Sequence, residues 1–273
     1  MLFRSHELLQ ARRFEAARTL LEASLELISF LSEPEFRRPL PPSAPLPTDY
    51  SRLFSYSSLA RVRRGSRSAT ILAGNTTLFS FRNRNAALEA VRFATAFFGK
   101  GQFTGDTIEA RDGGYVVRQS LEGPYFQPLT KEQIADGEHT KMAPNGTLAN
   151  SGRALRGRSN LCQLEAVVTV KEKDGRFRLE FVIEGTNEVP VALELAFRHG
   201  GKLQGVDPLP GVTDGYLLRS GKGRYESGGD VIEFGPGRVE HTYTQVRGAL
   251  PKWDGMSVFL TGMTPFRAAL DIG

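Results

Sequence analysis

The chain is poor in the residues that build redox and metal sites, with one cysteine, one tryptophan and four histidines in 273 residues. A single cysteine excludes an intramolecular disulfide, a CxxC redox centre and a Cys-rich zinc module. His6, His139, His199 and His241 show no HxH or HExxH spacing, so no metal and no cofactor is expected. No apolar run approaches the roughly 20 residues of a membrane helix, so no membrane partner is expected. Phosphate-cradling glycine loops and a GxSxG nucleophile elbow are also missing. Glycine is scarce at the start: Gly65 and Gly74 precede residue 99, and the other 27 of 29 follow from Gly99 onward.

What remains is an ordinary folding composition, 40% hydrophobic and 24% charged, arranged in three parts. Residues 1–33 place Phe14, Ala17, Leu21, Leu25 and Ile28 at helical spacing, with Leu20, Leu27 and Leu31 widening the stripe. Charges run through this segment, so it is no signal peptide. So broad an apolar face must dock on the body, on a partner such as a helical domain seated on residues 5–31, or on helices outside this chain. Six of fifteen prolines (Pro34, Pro39, Pro41, Pro42, Pro45 and Pro47) mark 34–50 as a linker. Residues 51–273 form the body.

Period-two patterning dominates the body. LCQLEAVVTVKE (161–172) and RFRLEFVIE (176–184) flank Lys173-Asp174-Gly175, and Asp-Gly between alternating runs predicts a hairpin. VALELAFRH (191–199) sets Val191, Leu193, Leu195 and Phe197 on one face. Further strands are predicted at 59–65, 68–74, 77–83, 114–123, 215–221, 230–234, 239–247 and 256–262. Residues 87–99 fit a helix by composition and a long strand by setting, and 127–158 reads as a polar loop excursion. Ten or more strands without alternating helices indicate a large antiparallel sandwich.

This order of elements resembles the junction in polysaccharide lyases of the heparinase II/III and chondroitin/hyaluronate lyase type. The segment SLARVRRG (58–65) running into SATILAGNTTLFSF, then GKGQFTGD (99–106), is similar to the opening strands of their sandwich. The segment from Gly215 to Phe266 is similar to the later ones. The resemblance implies an antiparallel β super-sandwich of galactose-mutarotase-like type, preceded by one amphipathic helix that would be the last of an (α/α) toroid. Family catalytic residues in the toroid have no counterpart here. The resemblance thus implies a lyase portion not active alone, extracellular or periplasmic if further sequence precedes Met1.

Net charge is +5, with arginines clustered at Arg61, Arg63, Arg64 and Arg67, at Arg82 and Arg84, and at Arg153, Arg156 and Arg158. Such a surface attracts polyanions. No nucleic-acid-binding motif accompanies it, so nucleic acid is disfavoured. A solvated basic face is the other reading of the charge, and the resemblance implies an acidic polysaccharide or oligosaccharide as partner. The strand reading of 239–247 sets His241, Tyr243, Gln245 and Arg247 on one face. There His241, Tyr243 and Arg247 suit β-elimination: Arg neutralises a uronate carboxylate while His or Tyr moves the adjacent proton. The same face also suits hydrogen bonds to sugar hydroxyls, with Gln245 among them, or plain solvation. Trp253 on a loop offers a stacking platform for a sugar ring. Arg198 and His199, at a strand end before Gly200-Gly201, complete the candidate binding set. Three functions are therefore expected in order: a lyase sandwich that binds or assists cleavage of an acidic glycan, a non-catalytic structural or carbohydrate-binding module, and a mutarotase-like enzyme needing a His and a carboxylate over a concave sheet.

Overall fold

Alternation of apolar and polar residues makes the body of this protein β, and the computed structural model arranges it as two stacked antiparallel-rich sheets. The structure describes residues 45–137 and 155–273, with residues 28 and 31–33. Thr48–Gly273 forms one compact unit and Met1–Pro47 another. In the second of these, Ile28, Leu31 and Ser32 are helical. The rest of the predicted N-terminal helix and residues 34–44 of the linker lie outside the described residues.

The ten-stranded sheet begins with β1 (Asp49–Phe54), so the body boundary expected at residue 51 falls inside a strand. It continues through β2 (Leu59–Arg64), β3 (Arg67–Leu72), β4 (Phe79–Asn83) and β5 (Ala86–Thr95), each antiparallel to the last, with the short β6 (Gly101–Gln102) on the end of β5. Beyond β5 come β11 (Pro190–Phe197), β17 (Met256–Met263), β14 (Gly215–Leu217) and β13 (Asp207–Pro208). Among the strands named here, only β14 and β17 pair in parallel. The eight-stranded sheet runs β12 (Lys202–Gln204), β15 (Gly223–Ser227), β16 (Asp230–Gly235), β18 (Phe266–Ile272), β10 (Arg176–Gly185), β9 (Arg158–Lys173), β8 (Gly114–Phe126) and β7 (Thr107–Arg111).

Residues 87–99, ambiguous in sequence, therefore become strand β5 and the turn after it. The β9–β10 hairpin closes with Lys173 opposite Arg176. Its two turn residues have φ of 52° at Asp174 and 73° at Gly175, the left-handed pair that an Asp-Gly hairpin turn requires. In the polar stretch 127–158, α1 (Lys131–Ala135) starts with a capping box of Thr130 and Gln133, and residues 138–154 lie outside the described residues.

The core fills the space between the sheets. Val191, Leu193, Leu195 and Phe197 of β11 all point into it, as their alternation predicts. Phenylalanines dominate: Phe177 meets Phe79 and Phe81 edge-on at 5.3 and 5.5 Å, and Phe93 meets Phe181 at 5.6 Å. Edge-to-face packing of this kind adds to the burial of large apolar surface.

Candidate functional site: the outer face of the ten-stranded sheet

Many residues of β2 to β4 that turn away from the core are polar. With Ala87 of β5 they form two cross-strand rows, Arg61–Thr70–Ser80 and Arg63–Ser68–Arg82–Ala87, fixed by strand register. Small side chains on β3 and β4 leave a floor, and arginines rise at its sides. A bulge adds Glu89 to β5 opposite the Ala196/Phe197 step of β11, which brings Glu89 to this face. The result is a groove of about 720 Å³ whose polar lining includes Arg61, Arg63, Arg82, Glu89, Arg198 and Trp253.

Its charge is unbalanced. Arg198 Nε donates to Glu89 at 2.9 Å, and Trp253 Nε1 approaches the other oxygen of that carboxylate at 3.4 Å. Arg61 bonds to the Thr70 hydroxyl, and Arg63 Nε bonds to the Gly65 carbonyl at 3.2 Å. Arg61, Arg63 and Arg82 have no carboxylate partner among the described residues, so Glu89 is the single anion among four guanidinium groups.

Trp253 is placed by a buried ion pair. Arg92 of β5 and Glu194 of β11 face outward on neighbouring strands, with side chains only 6% and 8% exposed. Glu194 accepts from Arg92 Nε at 2.5 Å, from the Trp253 amide at 2.9 Å and from the Ser257 hydroxyl at 2.6 Å. Arg92 also donates to the Pro251 carbonyl and lies 5.4 Å from the indole centroid. This cluster holds the segment 236–255 over the outer face of β17, β11 and β5. Val246 packs there against Ala94 and Ala192, while Val239 joins Leu217 and Phe259. Gly248 has φ of 92°, and a Cβ on it would meet the Gly99 carbonyl carbon at 2.5 Å, so the crossing at β5 requires glycine.

That path corrects the expected strand 239–247. It has one isolated bridge, Val239 to Thr261, and no strand. Outward edges of β17 and β5 are already paired within the sheet, so the segment lies across the strands instead of joining them. His241 and Tyr243 do come together, with ring centroids 5.5 Å apart. His241 Nε2 lies 2.9 Å from the Gly262 carbonyl, and Nδ1 accepts the Tyr243 amide at 3.2 Å. Both ring nitrogens are thus engaged by backbone. Arg247 makes none of these contacts: its Nε lies beside Gly99, four residues past the end of β5, whereas His241 is bonded to Thr261 and Gly262 of β17. Gln245 spends its amide on the Ala249 and Leu250 carbonyls at 3.1 and 2.9 Å. Of the proposed catalytic trio, His241 and Tyr243 are in contact, and none of the contacts described for them is made with Arg247.

Of the expected binding residues, Arg198 and Trp253 line the groove, and His199 sits next to it, 3.1 Å from Asp254. Both members of that pair are largely solvent-exposed. Arg61, Arg63 and Arg82 were visible in sequence only as basic surface; the missed signal is their outward parity in β2 and β4. Among the described residues no group of three His, Cys, Asp or Glu is placed to hold a metal ion, and no helix is long and apolar enough to cross a membrane. A smaller depression of about 340 Å³ lies at the end of the β9–β10 hairpin. Arg178 pairs there with Asp271 at 2.9 Å, and Glu172 pairs with Arg64 outside it at 2.7 Å, while Lys173, Arg176, Lys222 and Glu233 of its lining make no ion pair among the described residues.

Comparison with known proteins finds no matching family model, no matching curated protein and no matching solved structure, so the resemblance to polysaccharide lyases gains no support from them.

Proposed function

We propose that this sandwich is a carbohydrate-binding module for an acidic glycan, held in the outer groove of the ten-stranded sheet. The observation that carries the reading is the convergence of an indole and four arginines on one groove with a single opposing carboxylate. Aromatic faces stack on the apolar faces of sugar rings. Guanidinium groups bind carboxylate and ester oxyanions through paired hydrogen bonds. Binding is favoured over cleavage because both ring nitrogens of His241 are engaged by backbone.

The test is titration of the purified protein with polygalacturonate, dextran sulfate, neutral dextran and oligothymidylate at 0.15 M salt, together with Trp253→Ala and Arg82→Gln. Binding of an acidic glycan that weakens about tenfold in each variant, with none to neutral dextran, supports the reading. Tighter binding to oligothymidylate than to either glycan would overturn it. So would the absorbance of unsaturated uronate products on incubation with polygalacturonate, which would restore the lyase reading.

A further inference from the structure

The groove has two chemically different ends. At the Trp253 end, Glu89 neutralises Arg198 through a 2.9 Å ion pair and faces the indole N–H, so the net charge there is close to zero. At the other end the register sets Arg63, Ser68 and Arg82 directly opposite one another on β2, β3 and β4. Neighbouring strands are about 4.8 Å apart, so the two arginine backbones stand about 10 Å apart with one small hydroxyl between them. Arg61 occupies the next outward position on β2 and lines the same groove.

Like charges flanking a small residue repel in the free protein, and no carboxylate among the described residues relieves them. An anion seated above Ser68 would. Arg61, Arg63, Ser68 and Arg82 all line this part of the groove, and the N–H donors that Arg61 and Arg63 do not give to Thr70 and Gly65, with those of Arg82, are available to such an anion. A planar carboxylate offers acceptor oxygens in one plane, whereas a sulfate or phosphate ester offers three oxygens pointing in different directions. Resting on the glycan reading above, we propose that the Arg63–Ser68–Arg82 row is a subsite for a tetrahedral ester oxyanion, with Trp253 taking an uncharged sugar ring at the other end. The ligand class is a sugar sulfate or sugar phosphate, not a uronate.

The experiment is displacement of bound dextran sulfate by glucose 6-sulfate, glucose 6-phosphate and glucuronate, read by calorimetry. The proposal expects one ester to compete at about tenfold lower concentration than glucuronate, the stronger ester naming the source of the oxyanion. Arg63→Gln and Arg82→Gln should each erase that preference, and Ser68→Ala should reduce it. Arg82 is exposed and Arg63 is half-buried outside the core, and unchanged Trp253 emission would show each variant folded. If polygalacturonate and dextran sulfate bind equally, and glucuronate competes as well as the esters, the oxyanion subsite is refuted while glycan binding stands. If neither acidic glycan binds, both readings fall.

Discussion

Replacing Glu194 by Ala tests how the segment 236–255 is held. The substitution strips Arg92 of its carboxylate where the arginine side chain is 6% exposed, and it removes the acceptor for the Trp253 amide and the Ser257 hydroxyl. Breaking one side of a buried pair costs about 3–5 kcal/mol, because the remaining charge is left uncompensated. In a domain of this size each kcal/mol moves Tm by about 2–4 °C, so Glu194→Ala should melt roughly 6–20 °C lower. The chain's single tryptophan sits over the pair, so its emission reports the site without a label. Equilibrium denaturation followed by that emission gives the loss of stability, and the native spectrum of the variant should shift to the red. The double variant Arg92→Met/Glu194→Leu removes both charges and keeps apolar volume, so it should regain all but about 1 kcal/mol. A loss below about 1 kcal/mol in Glu194→Ala with unchanged emission would refute the assignment, since Arg92 would then have no need of Glu194.

Other outcomes follow from single contacts. Gly248→Ala should cost about 1–3 kcal/mol in urea denaturation, because it combines a positive φ with a Cβ against the Gly99 backbone. Burial alone would raise the Glu240 carboxyl, but hydrogen bonding and charge from Arg238 and the Met263 amide hold it below the ordinary carboxylate range. A lowered folded value adds stability above the unfolded value that is lost as pH falls through the folded one; Glu240→Gln should therefore flatten the acid limb of a Tm-versus-pH curve. Tyr225 donates to the Arg198 carbonyl at 2.7 Å from a fully buried ring. Tyr225→Phe should cost about 1–3 kcal/mol by thermal melting, and it should weaken glycan binding if that bond positions Arg198 in the groove.

Local chemistry made much of the sheet structure legible. The β9–β10 hairpin follows from Asp174-Gly175 between alternating runs, and β11 shows its inner face in Val191, Leu193, Leu195 and Phe197. β5 stayed ambiguous for a physical reason. Its inner face meets the core and its outer face lies under the 236–255 segment, so nearly every residue is buried and alternation disappears. The segment 239–247 failed for another reason: Val239 and Val246 would fall on opposite faces of a strand, yet both dock on a finished sheet, so the chain turns between them.

The same division holds for the site. Sequence determined that the chain is β-rich, that arginine is abundant, and that Trp253 and Arg198 fall at loop and strand-end positions, because period-two patterning and turn residues act over a few neighbours. It also determined that disulfide and CxxC chemistry are excluded, since those need cysteines the chain does not have. Only the tertiary structure decided that Arg61, Arg63, Arg82 and Trp253, up to 192 positions apart, share one groove, because strand register and the Arg92–Glu194 pair are long-range contacts. It likewise set Arg247 beside Gly99 and His241 against Gly262, where alternation had put the two on one strand face, since a chain crossing a sheet is not held in line as a strand is.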